Sequence, residues 1–125
     1  MNITVISVGK IKEKYFTAAI DEYSKRLSRF AKLNIIEVAD EKIPDNASEK
    51  EMEQIKEKEG NKILAKLPQN SFVVTLCIEG KEHSSEELAK KIADISMTSS
   101  HITFIIGGSL GLSDTVKSKS ALRLS

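Results

Sequence analysis

Two glycine-ended apolar runs are the parts of this chain best suited to hold a small ligand. The first, residues 73–81, ends in Gly80-Lys81, and the second, residues 103–112, contains Gly107, Gly108 and Gly111. Each run predicts a buried strand that ends in a loop. Because glycine has no Cβ, the backbone of such a loop can lie close to a ligand. Ligands of open α/β sheets bind outside the carboxyl ends of the strands, so the sequence indicates a binding site there.

Neither loop has the pattern of a standard phosphate-binding motif. Residues 107–111 differ from the dinucleotide pattern G-x-G-x-x-G, and Thr75 stands where a P-loop ending at Gly80-Lys81 needs its first glycine. Either loop alone is also consistent with an ordinary glycine turn. The pair favours a ligand site, in which apolar residues before each turn pack against a flat ring and free backbone groups bond its edge.

The remaining reactive side chains favour structural roles. Cys77, His83 and His101 lack the short spacings of zinc ligands, so no metal site is expected. We expect Cys77 to be a buried core residue and the two histidines to be solvated loop residues. A carboxylate at Asp40 or Glu41, after the second predicted strand, could act as a base, although a loop-capping role is the favoured interpretation.

Charge gives a limited indication of the partner. The formal net charge is +1, which argues against a strong, purely electrostatic grip on nucleic acid. The lysine-rich segment 10–15 either contacts phosphates or is a solvated helix start. The helix predicted to begin after Ser48 is rich in charged residues, which are interpreted as a solvated face. Glu59 and Lys62 are one of the oppositely charged pairs expected to attract each other on this helix.

The elements that must position these loops alternate regularly along the chain. Apolar runs predict strands at 2–8, 33–38, 72–78, 102–106 and 122–124. Amphipathic spacing predicts helices at about 12–30, 48–66 and 84–95, and a short helix from Asp114. Two of the helices begin with capping boxes, Ser48 with Glu51 and Ser84 with Glu87. The order predicts an α/β fold, a mostly parallel sheet with helices on both faces.

The size and composition are those of one globular domain, residues 1–125. No apolar stretch approaches the roughly 20 residues that span a bilayer, and the N-terminus lacks the features of a signal peptide. One cysteine excludes an internal disulfide framework. We therefore expect a cytoplasmic protein without a membrane partner.

The two glycine loops, together with several shorter motifs, resemble the signature loops of the RlmH family. The loops are residues 75–81 and 106–112, and the resemblance covers the whole chain. The shorter motifs are Val8-Gly9-Lys10, Glu22-Tyr23-Ser24-Lys25-Arg26, Ile35-Ile36-Glu37-Val38 and Lys58-Glu59-Gly60.

The resemblance implies a fold and a function. Members of this family are SPOUT-class methyltransferases with a C-terminal trefoil knot. They use S-adenosylmethionine to methylate N3 of a pseudouridine in 23S ribosomal RNA, and they work as homodimers. Carried over to this sequence, Leu76 would line the adenine pocket, and Gly80 would let its loop approach the cofactor. Gly108 would present backbone to the cofactor, and Gly107 would keep the turn open. The resemblance assigns no catalytic residue here.

The resemblance also implies a departure at the C-terminus. Family members continue with a third cofactor loop, the helix of the knot and a terminal tail, whereas this sequence ends at Ser125. We therefore expect the 125-residue chain to bind cofactor weakly and to have little or no methyltransferase activity. A family-like C-terminal segment is expected to restore that activity.

Two other functions remain open from the residues alone. The chain could be a non-catalytic α/β module that holds a nucleotide-like ligand weakly. It could also be a partner-binding fragment, in which another chain covers the exposed last strand. Binding of S-adenosylmethionine distinguishes the first two interpretations from the third, and methyl transfer distinguishes an enzyme from a binding module.

Overall fold

The computed structural model of the protein describes residues 2–9, 32–76 and 85–124. These residues contain five strands and three helices. The strands are β1 (Asn2–Val8), β2 (Lys32–Val38), β3 (Phe72–Leu76), β4 (His101–Ile106) and β5 (Leu122–Leu124). The helices are α1 (Glu49–Lys66), α2 (Ser85–Ser96) and α3 (Asp114–Ser118). The helix expected at 12–30 and the capping box expected at Ser84 lie outside the described residues.

The five strands form one sheet in the order β2-β1-β4-β3-β5. Every pairing in this sheet is parallel, which confirms the predicted α/β fold. The central strands β1 and β4 are buried along nearly their whole length. Such burial is typical of parallel strands, which are covered on both faces.

Alternate residues of the strands build two apolar cores, one on each face of the sheet. One core joins residues of β1, β3 and β4, such as Val5, Val74 and Phe104, to Ile92 of α2. The other joins Ile6 and Ile105 to α1 and α3. Because strand side chains alternate with a period of two, this division places α2 on one face, and α1 and α3 on the opposite face.

Local sequence signals set the ends of α1. The Ser48 hydroxyl accepts a hydrogen bond from the Glu51 N–H at 3.1 Å, and the Glu51 carboxylate accepts one from the Ser48 N–H at 3.2 Å. This is the predicted capping box, which satisfies two N–H groups at the start of the helix. The helix ends where Leu67 takes an extended conformation (φ −70°, ψ 120°), as expected for the residue before Pro68.

Two interpretations from the sequence are wrong. His101 is not a solvated loop residue, because it is the first residue of β4 and its Nε2 lies 2.9 Å from the hydroxyl of buried Thr4. The face of α1 is not wholly solvated either, because Glu59 is only 5% exposed. Lys62, the expected partner of Glu59, instead forms an ion pair with Glu41 at 3.1 Å.

Helix α1 approaches the loop before α3 very closely at Gly60. A Cβ at this position would lie 2.7 Å from the Ser113 hydroxyl oxygen and 3.0 Å from a methyl carbon of Val116. The Ser113 hydroxyl accepts the Val116 N–H at 3.3 Å and so caps α3. Glycine at 60 therefore permits both the helix contact and the cap.

Replacing Gly60 with alanine should lower the free energy of unfolding. Alanine is better than glycine inside a helix by about 1 kcal/mol, but overpacking typically costs about 1–3 kcal/mol. Displacing Ser113 would also weaken a cap worth roughly 1 kcal/mol. We expect a net loss of about 1 kcal/mol in urea unfolding. Asn61→Ala, at the exposed next position, is the control and should lose nothing. A more stable Gly60→Ala protein would contradict the close contact.

Candidate functional site

The carboxyl ends of the strands lie at one edge of the sheet, because all five strands run in the same direction. At this edge Leu76, the last residue of β3, is the register partner of Ile106, the last residue of β4. Gly107 follows Ile106 directly, so the structure brings Leu76 next to the start of the glycine loop. Gly80 and Cys77 lie outside the described residues. Of the two predicted loops, the structure therefore describes only the one after β4, and the convergence of both loops stays a prediction.

The strand order places the glycine loop at a switch in the direction of the chain connections. β1 and β4 are neighbours, with Ser7 paired to Ile106 near their carboxyl ends. The chain leads from β1 to β2 on one side of this pair and from β4 towards β5 on the other. Such a switch point opens a crevice at the carboxyl edge, and this crevice is the usual ligand site of open α/β sheets.

The glycine loop, residues 107–112, turns back on itself after β4. The Gly111 N–H donates a hydrogen bond to the Gly108 carbonyl oxygen at 3.0 Å, with Ser109 and Leu110 at the tip. Gly111 has φ +86°, in the region that favours glycine. A Cβ on Gly107 would lie 2.9 Å from the Gly111 carbonyl carbon and 3.0 Å from its oxygen. The fold of the loop therefore depends on glycine at both ends.

Gly108 lies against the end of β1 and against α1. A Cβ at this position would be 3.1 Å from a methyl carbon of Val8 and 3.3 Å from an oxygen of the Glu59 carboxylate. These distances are tighter than ordinary contacts, so a side chain at residue 108 would require Val8 and Glu59 to shift by a few tenths of an ångström. The loop thus brings backbone with little side chain to the carboxyl edge between β1 and β4, where the Gly108 carbonyl is bonded to the Gly111 N–H.

Two side chains of α1 hold the loop that follows β2. The Glu59 carboxylate accepts a hydrogen bond from the Glu41 N–H at 2.9 Å. The Lys62 ammonium donates one to the Ala39 carbonyl oxygen at 3.1 Å and pairs with the Glu41 carboxylate. These contacts favour the loop-holding role of Glu41 over the alternative role as a base.

Glu59 is the site residue that sequence reasoning missed. Its charge placed it with the solvated residues of α1, yet Ile55 precedes it by four positions and Ile63 follows it by four, and both are buried. Residues four apart share one face of a helix. That spacing was the signal available in the sequence for a buried carboxylate.

The described residues offer little else for chemistry. They contain no group of three or more histidine, cysteine, aspartate or glutamate residues that could hold a metal ion. Across the same part of the chain, no helix has the length and apolar character required to cross a membrane. His101 lies at the start of β4, at the opposite edge of the sheet from the glycine loop. The site therefore consists of backbone, apolar side chains and one buried carboxylate.

Comparisons with known proteins match the whole chain to methyltransferases. The model of a family described as "Predicted SPOUT methyltransferase" matches residues 1–125. The chain is 61% identical to Ribosomal RNA large subunit methyltransferase H of Clostridium botulinum (strain Kyoto / Type A2), over 126 aligned positions that cover 100% of the chain and 79% of that protein.

Two further relatives cover the same shares of both chains. Putative ribosomal RNA large subunit methyltransferase H of Methanococcus maripaludis (strain C5 / ATCC BAA-1333) is 61% identical. Ribosomal RNA large subunit methyltransferase H of Clostridioides difficile (strain 630) is 58% identical. At these identities over its full length, the chain shares its fold with these proteins.

Replacing Gly107 with alanine should destabilise the loop and the protein. The added Cβ would meet backbone atoms of Gly111, which cannot rotate away as a side chain can. Overpacking of this kind costs about 1–3 kcal/mol, and we expect a loss of that size in urea unfolding. Ser109→Ala, at the exposed tip, is the matched control and should stay within about 0.5 kcal/mol of the parent. Equal stability of the Gly107→Ala protein and its parent would mean that the loop has room which the structure does not give it.

Proposed function

The chain belongs to the RlmH family of SPOUT methyltransferases, and from this premise we propose that it uses S-adenosylmethionine to methylate N3 of a pseudouridine in 23S ribosomal RNA. Membership makes the protein an enzyme that methylates ribosomal RNA of the large subunit. The methyl donor, the target base and the atom methylated are the parts that we propose. They rest on the family resemblance and on the glycine loop.

The observation that carries the proposal is the glycine loop at the switch point between β1 and β4. A flat ring needs an apolar wall and hydrogen-bonding groups at its edge. Leu76 supplies an apolar residue beside the loop, and Gly107 and Gly108 bring backbone without side chains to the same edge. A Cβ at residue 108 would press on Val8 and Glu59 behind the loop, so glycine supports the position of this backbone.

In this proposal each site residue has a separate role. Leu76 lines the adenine pocket, and Gly107 keeps the turn open so that Gly108 presents its backbone to the cofactor. Gly80, by resemblance, lets the loop after β3 approach from the neighbouring strand. S-adenosylmethionine supplies an electrophilic methyl group on a sulfonium. The residues of this chain bind and orient, and no catalytic residue is assigned.

Orientation is the main contribution expected of such a site. A misplacement of about 1 Å between reacting groups can cost on the order of a hundredfold in rate. The glycine loop is suited to this task because its geometry is fixed by its own hydrogen bond and by contacts with Val8 and α1. A loop held in this way has its backbone in a fixed position before the ligand binds.

Further properties belong to the same proposal. Residues 1–125 form one domain, which is supported by the family match over that whole range. The protein works as a homodimer in the cytoplasm, with ribosomal RNA as its macromolecular partner and without a metal. The family resemblance supports these statements. Light scattering during size-exclusion chromatography measures the molar mass and so tests for the dimer directly.

Methyl transfer to ribosomes tests the proposed function. Ribosomes from a strain that lacks the modification are incubated with radiolabelled S-adenosylmethionine and the protein. Because the match covers 79% of each relative, the assay uses the 125-residue chain and a chimera that adds the part of the Clostridium botulinum relative outside the match. We expect the chimera to label 23S RNA. A methyl group at N3 blocks base pairing, so reverse transcription should stop at one pseudouridine.

Site variants of the chimera connect this activity to the glycine loop. Gly108→Ala should lower the rate by about tenfold or more, because even a small shift of the loop misorients the reactants. Ser109→Ala is the control and should keep the parental rate. A folded chimera that binds S-adenosylmethionine but labels no RNA would contradict the enzymatic proposal and favour the binding module. Strong turnover by the 125-residue chain alone would contradict the weak activity expected from the sequence.

A further inference from the structure

Glu59 occupies an unusual place for a carboxylate. It is 5% exposed and lies in the buried stripe of α1 between Ile55 and Ile63. Charged side chains are almost never fully buried unless they are paired, because removing a charge from water is costly. Among the described residues no cation pairs with Glu59, and its one hydrogen bond comes from the Glu41 N–H at 2.9 Å. Apolar packing of α1 would be served equally well by a third isoleucine.

The same carboxylate lies against the glycine loop. A Cβ placed on Gly108 would be 3.3 Å from Oε1 and 3.5 Å from Oε2 of Glu59. Both oxygens therefore lie close beside the Gly108 backbone, while Oε2 also bonds the loop after β2. The Glu59 side chain thus fills the space between two loops of the carboxyl edge, one after β2 and the other after β4.

Helix α1 is itself fixed against the segment that follows the glycine loop. The residue after Glu59 is Gly60, where the helix meets Ser113 and Val116. One turn earlier in the helix, the Glu57 carboxylate accepts the Thr115 hydroxyl at 3.3 Å. The Glu59 carboxylate is therefore held by a rigid element that is already in contact with the end of the loop it touches.

We propose that Glu59 is a positioning residue of the cofactor site, which holds the backbone of Gly108 in place by linking it to the loop after β2. This inference rests on the proposed function, in which Gly108 presents its backbone to S-adenosylmethionine. Glu59 itself acts through Gly108 and does not touch the cofactor. Removing its hydrogen-bond acceptor frees the Glu41 N–H and lets the glycine loop shift.

The test uses three variants of the chimera described above. Glu59→Met keeps the length and volume of the side chain but removes the acceptor. Glu59→Gln keeps an oxygen that can accept from the Glu41 N–H, so it is the rescue variant. Glu53→Met makes the same chemical change at an exposed carboxylate earlier in α1, which forms an ion pair with Lys56 of the same helix, and it is the matched control. Glu59→Met is expected to fold because methionine packs well in apolar surroundings, and circular dichroism checks the folding of all three variants.

Calorimetry and steady-state kinetics give the first readout. We expect Glu59→Met to raise the dissociation constant and the KM for S-adenosylmethionine by about tenfold, with kcat at saturating cofactor within about threefold of the parent, because the loop is displaced but recovers when the ligand is bound. Glu59→Gln and Glu53→Met should match the parent. A merely structural role would lower the melting temperature of Glu59→Met and leave the affinity of the folded protein unchanged, and that result would overturn the proposal.

Amide NMR spectra without ligand give a second readout, which is independent of the proposed function. The Gly108 and Gly111 amide signals should move in Glu59→Met and stay in place in Glu53→Met. Unmoved signals would overturn the positioning role even if no variant bound cofactor. Conversely, a parent protein that fails to bind S-adenosylmethionine, while those signals still move, would contradict the proposed function and leave the mechanical link between Glu59 and Gly108 supported.

Discussion

The close contact between α1 and the segment before α3 is the constraint on which the rest of the site depends. Because residue 60 is glycine, the helix backbone comes within reach of Ser113 and Val116, and Ser113 can still cap α3. That approach brings the preceding residue, Glu59, beside Gly108. A single absent side chain thus sets the distance between the helix and the loop that we propose to bind the cofactor.

The parallel sheet supplies the second requirement, a common edge. Each strand delivers its carboxyl end to the same side, so loops that are far apart in sequence become neighbours. Helix α1 then touches two of these loops, the one after β2 through Glu59 and Lys62 and the one after β4 through Glu59. The result is an edge of the sheet made largely of backbone and supported by a helix behind it. Such a site suits an enzyme whose proposed contribution is orientation.

Much of this architecture could be predicted from the sequence because its signals are local. The apolar runs at 2–8 and 102–106 identify strands, and the Ser48–Glu51 pair identifies the start of α1 to the residue. The alternation of elements then predicts the parallel sheet. The glycines at 107 and 108 stand out because their positions after a strand are also local information. Their binding role, like that of Leu76 and Gly80, stays a prediction.

The features that could not be predicted depend on contacts between distant elements. The pairing of β1 with β4 brings the Thr4 hydroxyl to the His101 ring. The local sequence around either residue does not predict this hydrogen bond. The burial of Glu59 could not be predicted either, because the many charged residues of α1 indicated a solvated face, although Glu59 lies between two buried isoleucines. Lys62 has an acidic residue three positions before it, yet it pairs with Glu41 in a distant loop. Patterns within one helix do not reveal which of its charges another loop will cover.

Amide NMR mapping of S-adenosylmethionine binding tests the central claim most directly, namely that the loop after β4 is the cofactor site. The titration follows the isotopically labelled chimera, with residues at the opposite edge of the sheet, such as Ser100, as the internal reference. The account predicts that the largest shifts fall on Leu76, Gly107, Gly108 and Gly111, and that Ser100 stays in place. Saturable binding with its largest shifts at the amino edge, and none in residues 107–111, would contradict it.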